Sequence, residues 1–368
     1  MGNSFGKFFN ISTFGESHGQ ALGVIIDGCP AGLKISQEEI QYELDRRKPG
    51  QSKITTARAE SDKVQILSGI YEGVTLGTAI GLMIPNADAR SGAYSDLKDL
   101  YRPGHADYTY EARYGVRDYR GGGRASNRET AARVAAGAVA KVLLKELLGL
   151  ETLAWVEQIH TIKGKVNREQ VTIEQIESNI VRCPDQEAAE KMVTAIMQAK
   201  RQGNSIGGII KFAVNGCPAG LGAPVFDKLT AELAKAMMSI PATRSVSFGL
   251  GEKASEMTGL EHNDPFVMKG DNLVGTETNN AGGILGGISN GEQIYGSLSF
   301  KPTATISSEQ RTVSTEGQNV LLKARGRHDP CVLPRAVPIV EAMINLVLVD
   351  HLLQYSVASV DRLKRIFS

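Results

Sequence analysis

Apolar residues recur along the chain with two different spacings, which predict both strands and helices. Strand-like apolar runs bounded by glycine turns lie in three segments: 63–84, 206–214 and 293–300. Apolar residues at helical spacing mark three others: 126–149, 185–202 and 336–355. The last of these is nearly apolar all round, which is typical of a buried helix. The pattern predicts an α+β fold with helices packed among antiparallel sheets.

Capping signals predict where several helices begin. Ser36 with Glu39 and Ser126 with Glu129 have the Ser-x-x-Glu spacing of a capping box. Asp185 is a candidate N-cap for the helix that runs to about residue 202. We therefore expect a helix directly after each of these three capping residues.

One motif occurs twice in the chain. The segment VIIDGCPAGLKIS at 24–36 returns as FAVNGCPAGLGAP at 212–224. Each copy leads from a strand-like run through a Gly-Cys-Pro-Ala-Gly-Leu turn into a predicted helix, at 36–47 and 224–238. We interpret the copies, which start near 24 and 212, as an internal pseudo-duplication. Because no Pro/Ser-rich linker divides the chain, we expect residues 1–368 to form a single domain.

Composition narrows the class of protein. The 368 residues are 42% apolar and carry a formal net charge of +1, so the chain can bury a large core and is less basic than most nucleic-acid-binding proteins. No run reaches the ~18 apolar residues of a membrane span, and the N-terminal residues lack a secretory pattern. The four cysteines form no Cys-x-x-Cys pair. We therefore expect a cytoplasmic protein with no membrane span, disulfide framework or metal site.

The stretch YRGGGRASNRET at 119–130 places three consecutive glycines between arginines. Seven arginines and no lysine occur from Arg102 to Arg133, with tyrosines interleaved. One interpretation is a glycine loop that holds an anion at a helix N-terminus, with Arg124 and Arg128 as forked donors. The other is an RNA-binding segment in which arginine and aromatic side chains supply charge and stacking. The nearly neutral chain favours a small anionic ligand, although the stretch by itself leaves both interpretations open.

Three of the six histidines lie in glycine-bearing loops with charged neighbours: His18 in FGESHGQ, His105 in RPGHAD and His328 in RGRHDPC. A lone histidine is more often structural than catalytic, but three in such loops favour acid–base chemistry near neutral pH. Further basic loops lie at 45–53, 301–305 and 324–338. So many separate basic loops predict a polyanionic small substrate together with a second anionic ligand.

Five motifs taken together resemble the chorismate synthase family. In chain order they are FGESHG, RPGHADYTYEARYG, YRGGGRASNRETAARVAAGAVAK, NNAGGILGGISNG and GRHDPCVLPRAVPIVEAM. The resemblance keeps the family's order and runs from Gly2 to about His351, which is nearly the whole chain. It implies a single large domain with a β-α-β sandwich fold, which assembles as a homotetramer.

The resemblance also implies a reaction. The family eliminates phosphate from 5-enolpyruvylshikimate 3-phosphate in a 1,4-anti sense, which gives chorismate in the last step of the shikimate pathway. It requires reduced FMN although the reaction has no net redox change, and the reductant is either NADPH or a separate flavin reductase. Substrate and FMN together carry roughly five to six negative charges. An enzyme of this kind needs many cations and has no nucleic-acid partner.

Individual positions match the family's functional residues. The two catalytic histidines, one for the charge of the flavin and one for the departure of phosphate, match His18 and His105, and the proton-relay carboxylate matches Asp329. The substrate-binding positions are Arg47, Arg102, Arg128 and Arg327. The NADP-associated positions are Arg47 and Lys53. The FMN-contacting positions are Arg124, Ala125, Ser126, Ala242, Gly286, Lys301, Pro302, Thr303, Ala304, Thr305 and Arg327.

Some positions depart from the family pattern. Ala125 stands where relatives more often have serine, Ala304 lacks a hydroxyl group, and Lys53 replaces an arginine. The sequence around Ala242 also differs, which weakens its assignment to FMN. None of these changes removes a predicted catalytic group. Two other functions remain as alternatives, an RNA-binding protein and a flavin-binding protein without elimination activity, and turnover of the substrate separates all three.

Overall fold

The computed structural model describes residues 2–56, 58, 60–87, 97–271, 273–324 and 328–368. The strands within these residues are β1 (Ser4–Phe5), β2 (Asn10–Gly15), β3 (Ala21–Asp27), β4 (Gln65–Ser68), β5 (Ile70–Tyr71), β6 (Val74–Thr75), β7 (Ile80–Pro85), β8 (Glu151–Ile159), β9 (Ile162–Lys163), β10 (Gly208–Asn215), β11 (Thr243–Phe248), β12 (Phe266–Gly270), β13 (Leu273–Thr276), β14 (Ile284–Leu285), β15 (Ile288–Ser289), β16 (Ile294–Phe300), β17 (Gln310–Val313) and β18 (Asn319–Leu322). The α-helices are α1 (Gln37–Arg47), α2 (Asp107–Tyr114), α3 (Thr130–Leu148), α4 (Ile173–Glu177), α5 (Gln186–Arg201), α6 (Leu229–Met238), α7 (Gly259–His262), α8 (Leu333–Ser356) and α9 (Val360–Phe367).

Two five-stranded sheets dominate the described fold. Their strand orders are β1-β2-β3-β7-β4 and β11-β16-β10-β8-β9, and every neighbouring pair is antiparallel. Buried and half-buried residues alternate along β7 and β16, as expected for sheets that cover a core with one face. The predicted α+β class with antiparallel sheets is confirmed.

Helices α3 and α8 fill the space between the two sheets. Helix α3 packs on β2, β3 and β7 of the first sheet and on β8 of the second, while α8 packs on β8 and β10. The two helices approach closely at Gly137, where an added β-carbon would lie 2.4 Å from the β-carbon of Ala342. The layers therefore follow the order sheet, helices, sheet, which is a β-α-β sandwich.

Helix α8 is a core element. It is the one helix of the described segments that is long and apolar enough to cross a membrane, but 89% of its most apolar window is buried inside the protein. Buried residues run without a break from Leu333 to His351. The prediction of a buried helix at 336–355 is confirmed.

All three predicted capping residues cap a helix, but Ser126 caps a 3₁₀ turn through Arg128 N and lacks the predicted capping box. Ser36 and Glu39 form a reciprocal capping box, and the Asp185 side chain accepts from Ala188 N. The predicted box of Ser126 with Glu129 is wrong, since residues 127–129 form a 3₁₀ turn and α3 begins only at Thr130. The physical reason is that the Glu129 carboxylate pairs with Arg133 at 2.8 Å one turn onward, so it does not reach back to the Ser126 backbone.

The two copies of the repeat occupy equivalent places. Strand β3 is the middle strand of the first sheet and β10 of the second, and each leads through its turn to a helix, α1 or α6. Helix α6 begins at Leu229, later than the predicted 224. The equivalence supports our proposal of an internal pseudo-duplication within one domain.

Candidate active site

An open cavity of about 380 Å³ lies where the ends of several elements meet. Its described lining comes from the residues after α1, the segment before α2, the glycine loop before α3, the segment after α6, the segment after β16 and the first turn of α8. The volume is within the range of small-molecule sites. The cavity brings together residues from both halves of the chain.

The glycine loop passes directly against both predicted catalytic histidines. Gly121, Gly122 and Gly123 have φ angles of +64°, +89° and +53°, which L-residues with a side chain rarely adopt. A β-carbon on Gly121 would lie 2.5 Å from His18 Cδ2, and one on Gly122 would lie 2.8 Å from His105 Cε1. The run of glycines is therefore explained by close contact with two side chains as well as by its backbone conformation.

Both histidines are buried enough to favour the neutral form. Burial, followed by the nearby Arg58 guanidinium, lowers the pKa of His18. Burial also lowers the pKa of His105, and Arg102 and Lys301 act in the same direction against the opposing effect of Asp107. In the ligand-free protein both imidazoles are therefore mostly neutral at pH 7.

Asp107 links His105 to an arginine. His105 Nδ1 lies 3.0 Å from Asp107 Oδ1, and Arg102 donates to the same carboxylate through Nε at 2.7 Å and Nη2 at 2.8 Å. Burial alone would raise the pKa of Asp107, but its hydrogen bonds to Arg102 and His105 hold the pKa well below its usual range. The carboxylate is therefore ionised next to His105.

A second buried carboxylate joins two of the predicted substrate-binding arginines. Asp62 is fully buried and pairs with Arg47 at 2.9 Å through one oxygen and with Arg128 through the other. Arg128 Nη2 is buried and has no hydrogen-bond partner among the described residues. A buried, charged N–H group without a partner at the wall of a cavity is suited to bind an anionic ligand.

Arg47 is completely buried in the wall of the cavity. Burial, followed by repulsion from Arg335, lowers the pKa of Arg47 to about 9, so the guanidinium remains protonated at neutral pH. Its Nη2 group also donates to Asn127 O at 2.8 Å. Arg47 therefore ties α1 to the segment that carries Arg128.

Asp329 is held in place by Thr56 and Arg335. Thr56 N donates to Asp329 Oδ1 at 2.9 Å, and the Arg335 guanidinium pairs with Oδ2. The sequence suggests Arg327 and His328 as the cations beside this carboxylate, but Arg327 lies outside the described residues. Among the described residues, the cation paired with Asp329 is Arg335, in the first turn of α8.

The residues predicted to contact FMN do not all lie together. Seven of them line the cavity: Ala125, Ser126, Ala242, Lys301, Thr303, Ala304 and Thr305. Gly286 is exposed in the turn between β14 and β15, and Pro302 is exposed beside Lys301; neither lines the cavity. Lys53 is likewise exposed and outside the lining, and Arg327 is outside the described residues.

Arg124 has a different position from the one that an anion cradle predicts. Its guanidinium donates to Thr13 Oγ1 at 2.8 Å and to Gly15 O at 3.2 Å, so it holds the loop against β2. It lines a smaller cavity of about 110 Å³ on the other side of the loop. Because 3₁₀ turns separate the glycines from α3, the loop does not lie directly at that helix's N-terminus.

The charge of the main cavity fits anionic ligands. Its described lining includes six cations, Arg47, Arg58, Arg102, Arg128, Lys301 and Arg335, and one carboxylate, Asp329. Within the described segments, no cluster of three or more His, Cys, Asp or Glu residues could hold a metal ion. The residues present thus fit phosphate and carboxylate groups, such as those of an anionic substrate and of FMN.

Comparison with known proteins identifies the family. Residues 9–353 match the family described as chorismate synthase. Chorismate synthase from Synechocystis sp. is 58% identical over 355 residues, which cover 96% of this chain and 98% of that protein. The chain belongs to the chorismate synthase family. The enzyme from Prochlorococcus marinus strain AS9601 is 57% identical, again over 96% of this chain and 97% of that protein.

A solved structure agrees with this assignment. A crystal structure of a chorismate synthase superimposes with a TM-score of 0.73 at 31% identity and covers 99% of this chain and 97% of that one. Chorismate synthases are lyases of aromatic amino acid biosynthesis. The family resemblance of the sequence motifs is therefore confirmed.

Four residues of this chorismate synthase site were not predicted from the sequence: Arg58, Asp62, Asp107 and Arg335 in its role beside Asp329. The sequence around Asp62 does not mark it as a site residue, because its partners Arg47 and Arg128 are 15 and 66 residues away along the chain. Asp107 could have been predicted, because it follows His105 by two residues in RPGHAD. A carboxylate that close to a candidate catalytic histidine is a reasonable partner for its ring.

Proposed function

We propose that this chain eliminates phosphate from 5-enolpyruvylshikimate 3-phosphate to give chorismate, with reduced FMN bound in the same cavity. One observation carries the proposal: a cavity whose described lining has six cations and one carboxylate has two histidines held beside it by a glycine loop. A substrate with two carboxylates and a phosphate supplies the negative charge that this cavity lacks. The family assignment supports the same reaction.

The arginines of the cavity would bind the substrate anions. Arg128 offers its unpartnered Nη2, and Arg47 lies beside it through Asp62. Arg102 and Arg327 are the other positions that the resemblance implies, but Arg102 already donates through Nε and Nη2 to Asp107. Forked guanidinium donors suit carboxylate and phosphate groups better than lysine does.

The FMN would be held by the segment 301–305, by Ala125 and Ser126, and by Ala242, with Arg124, Gly286, Pro302 and Arg327 as the further positions that the family resemblance implies. When bound and reduced, FMN supplies electron density to the substrate and accepts its proton. The chain's own residues hold the ligands and exclude water. Burial, followed by repulsion from Arg244, lowers the pKa of Lys301, and an anionic group bound beside it would offset both effects.

The two histidines and Asp329 would manage protons. His105 lies in the more cationic surroundings, beside Arg102 and Lys301, and we assign to it the departing phosphate. His18 then maintains the charge of the flavin. Asp329, held by Thr56 and Arg335, would accept the substrate-derived proton and pass it on.

We also propose the partners that the family resemblance implies. The protein would act in the cytoplasm as a homotetramer, without membrane or nucleic-acid partners. Arg47 and Lys53 would serve NADPH if the enzyme reduces its own flavin, and otherwise a separate flavin reductase supplies the electrons. Product formation in air from NADPH and FMN without added reductase would establish the first route, and its absence the second.

Anaerobic single turnovers test the reaction. Wild-type protein with dithionite-reduced FMN should form chorismate and phosphate in equal amounts, without consuming reductant in proportion to product. Asp329→Asn should bind FMN and substrate with nearly unchanged affinity but turn over far more slowly, because an amide cannot take the proton. Product formed with oxidised FMN alone would contradict the proposal.

Two results would favour the alternative functions instead. Tight binding of single-stranded RNA with a steep salt dependence, and no turnover, would indicate an RNA-binding protein. FMN binding with no elimination under reducing conditions would indicate a flavin-binding protein of another activity.

A further inference from the structure

Both oxygens of the Asp107 carboxylate are used inside the protein. Oδ2 accepts from Arg102 Nε at 2.7 Å and from the Arg102 backbone N–H at 3.0 Å. Oδ1 accepts from Arg102 Nη2 at 2.8 Å and faces His105 Nδ1 at 3.0 Å, with Arg117 Nη1 at 3.5 Å. Asp107 is 3% exposed and begins α2, so its position is fixed by both backbone and packing.

This geometry determines which ring nitrogen of His105 faces the ligand. The contact between His105 Nδ1 and Asp107 Oδ1 is 3.0 Å long but is not aligned as a regular hydrogen bond. An ionised carboxylate is an acceptor only, so at this distance it favours the ring form in which Nδ1 carries a proton. In the neutral ring Nε2 is then the unprotonated nitrogen. Nε2 and Cε1 form the ring edge on the side of the glycine loop, 2.9 Å and 2.8 Å from where a β-carbon on Gly122 would stand. His105 therefore presents one defined nitrogen to the cavity wall.

The same geometry limits what Arg102 can do. Two of its three guanidinium nitrogens, Nε and Nη2, form the fork on Asp107. A second forked contact with a substrate carboxylate or phosphate would require breaking the first. Arg102 is only 4% exposed, which also restricts such a contact.

We propose that Asp107 is a positioning residue that fixes the tautomer of His105, and that Arg102 acts through Asp107 rather than by binding substrate. The kinetic consequences of this inference rest on the proposed function, whereas the tautomer of His105 does not. In the protonated ring, Nε2–H can donate its proton to the departing phosphate as the C–O bond breaks and phosphate takes the electron pair. The neutral ring that remains keeps Nδ1–H on Asp107 and regains its proton from solvent.

The charged groups that face His105 have opposing effects. Asp107 favours the imidazolium, whereas Arg102 and Lys301 oppose it, and Arg117 acts on Asp107 from the far side. Replacing Asp107 by asparagine removes the one favourable charge while keeping the shape of the side chain. The protonated ring should then be harder to form, so the pH limb of kcat that reports His105 should move to lower pH in Asp107→Asn.

The kinetic test compares two carboxylates on α2. Asp107→Asn should lower kcat by about 10²-fold or more, the scale of general acid–base help, with KM for the substrate changed less than about 3-fold. Glu111→Gln is the matched control, because Glu111 pairs with Arg117 at 2.9 Å but has no contact with His105. It should keep kcat within about 2-fold. A normal kcat in Asp107→Asn would overturn the proposal.

Arg102 provides the second variant. Arg102→Lys keeps a positive charge but loses the fork, so it should lower kcat in the same way as Asp107→Asn and leave KM nearly unchanged. A rise in KM with normal kcat would instead place Arg102 on the substrate. This variant also keeps the proposal testable if Asp107→Asn fails to fold.

A spectroscopic test needs neither substrate nor FMN. Long-range ¹H–¹⁵N spectra of protein labelled at histidine, with His105→Gln to identify the signal, should show Nδ1 protonated and Nε2 unprotonated at pH 8. Asp107→Asn should shift the signal toward a mixture of tautomers. An Nε2–H tautomer in the wild type would overturn the proposal. The expected tautomer together with no elimination activity would leave the inference standing and contradict only the proposed function.

Discussion

The two copies of the Gly-Cys-Pro-Ala-Gly-Leu turn are built alike to the level of single hydrogen bonds. In the first copy the Thr75 hydroxyl donates to Pro30 O at 2.7 Å and accepts from Leu33 N at 3.0 Å. In the second, Ser289 donates to Pro218 O at 2.6 Å and accepts from Leu221 N at 2.9 Å. A hydroxyl from a neighbouring short hairpin thus bridges the turn in both halves.

The helices that follow the turns are used differently. Helix α1 buries Glu43, Arg46 and Arg47, and its last residue is linked through Asp62 to the cavity. The buried residues of α6 are all apolar or small: Leu229, Leu233, Ala236 and Met237. A proline after each helix, Pro49 or Pro241, lines the cavity. We call each turn, together with the helix after it and the loops around that helix, a unit. The two units give equivalent support to the cavity, and only the helix of the first unit adds buried charged groups.

The difference shows how a duplicated scaffold can carry a single site. Packing requires only the apolar pattern that both units share. The chemistry depends on a few residues at the end of α1 and in the loops it contacts. Substitutions in the first unit should therefore be far more costly than those in the second.

The largest expected effect is that of Asp62→Asn. The change leaves the buried guanidinium groups of Arg47 and Arg128 without their shared carboxylate, which should cost about 3–5 kcal/mol of unfolding free energy. Urea titration at pH 7 measures it. Asp227→Asn, in the second unit, is the matched control: Asp227 pairs with Lys7 on the surface, so the midpoint should hardly move.

The pH dependence of the Asp62 effect has a defined sign. Burial alone would raise its pKa, but Arg47 and Arg128 hold the pKa below the usual value, so the unfolded state binds the proton more readily. The contribution of Asp62 is therefore present above pH ~4 and is lost as pH falls through its folded pKa. A difference between wild type and Asp62→Asn that stayed constant from pH 7 to the acid transition would contradict the assignment.

Gly121→Ala should have the next largest effect. An added β-carbon would lie 2.5 Å from His18 Cδ2, so the ring or the loop must move. A displacement of this size should lower kcat by roughly 10²-fold. Gly115→Ala separates this from backbone strain, because Gly115 has a similar φ of +71° against +64° but nothing within 4 Å of its added β-carbon. The Gly115→Ala variant should lose stability but keep its kcat. An equal loss of kcat in both variants would show that backbone strain, not contact with His18, is the cause.

The sequence predicted much of the fold because the fold depends on local patterns. Antiparallel strands, the buried α8 and the three capping residues follow from periodicity and capping signals, although one of the two predicted capping boxes is absent. The start of α3 was mispredicted because Glu129 had an alternative partner in Arg133, and nothing in a Ser-x-x-Glu pattern excludes that pairing.

The cavity was only partly predictable from the sequence. His18, His105, Arg128 and Asp329 were identified from motifs, and the structure places each at or beside the cavity. Asp62 could not be found, because its partners are 15 and 66 residues away in sequence and meet only after folding. The anion-binding role of Arg124 was inferred from the glycine loop before a predicted helix start and from the family resemblance, whereas its hydrogen bonds direct it to β2.

Arg128→Lys should have a moderate effect on binding. A lysine keeps the charge but cannot contact Asp62 and also offer a second donor to a ligand in the fork geometry. KM for the substrate should rise about 5–20-fold with a smaller change in kcat. Arg133→Lys is the control, since Arg133, in the first turn of α3, pairs with Glu129 and does not line the cavity. Equal KM values in the two variants would show that Arg128 is structural.

The smallest expected effect is that of Ala242→Gly, in the second unit. Ala242 has a φ of +73°, which is strained for a residue with a β-carbon, and its carbonyl accepts from Lys301 N at 2.9 Å. Glycine stabilises the folded state by relieving this strain, but it also gives the unfolded chain more conformational freedom. These two contributions to the free energy of unfolding are each about 1 kcal/mol and nearly cancel. Urea titration should show a change within about 1 kcal/mol, and turnover should stay within about 2-fold because the backbone carbonyl is retained. Ala242→Val is the contrasting variant, since a β-branched side chain at this φ is more strained and should destabilise the fold clearly. A tenfold loss of turnover in Ala242→Gly would mean that the Ala242 methyl group contacts a ligand, so that the second unit contributes more than backbone to the site.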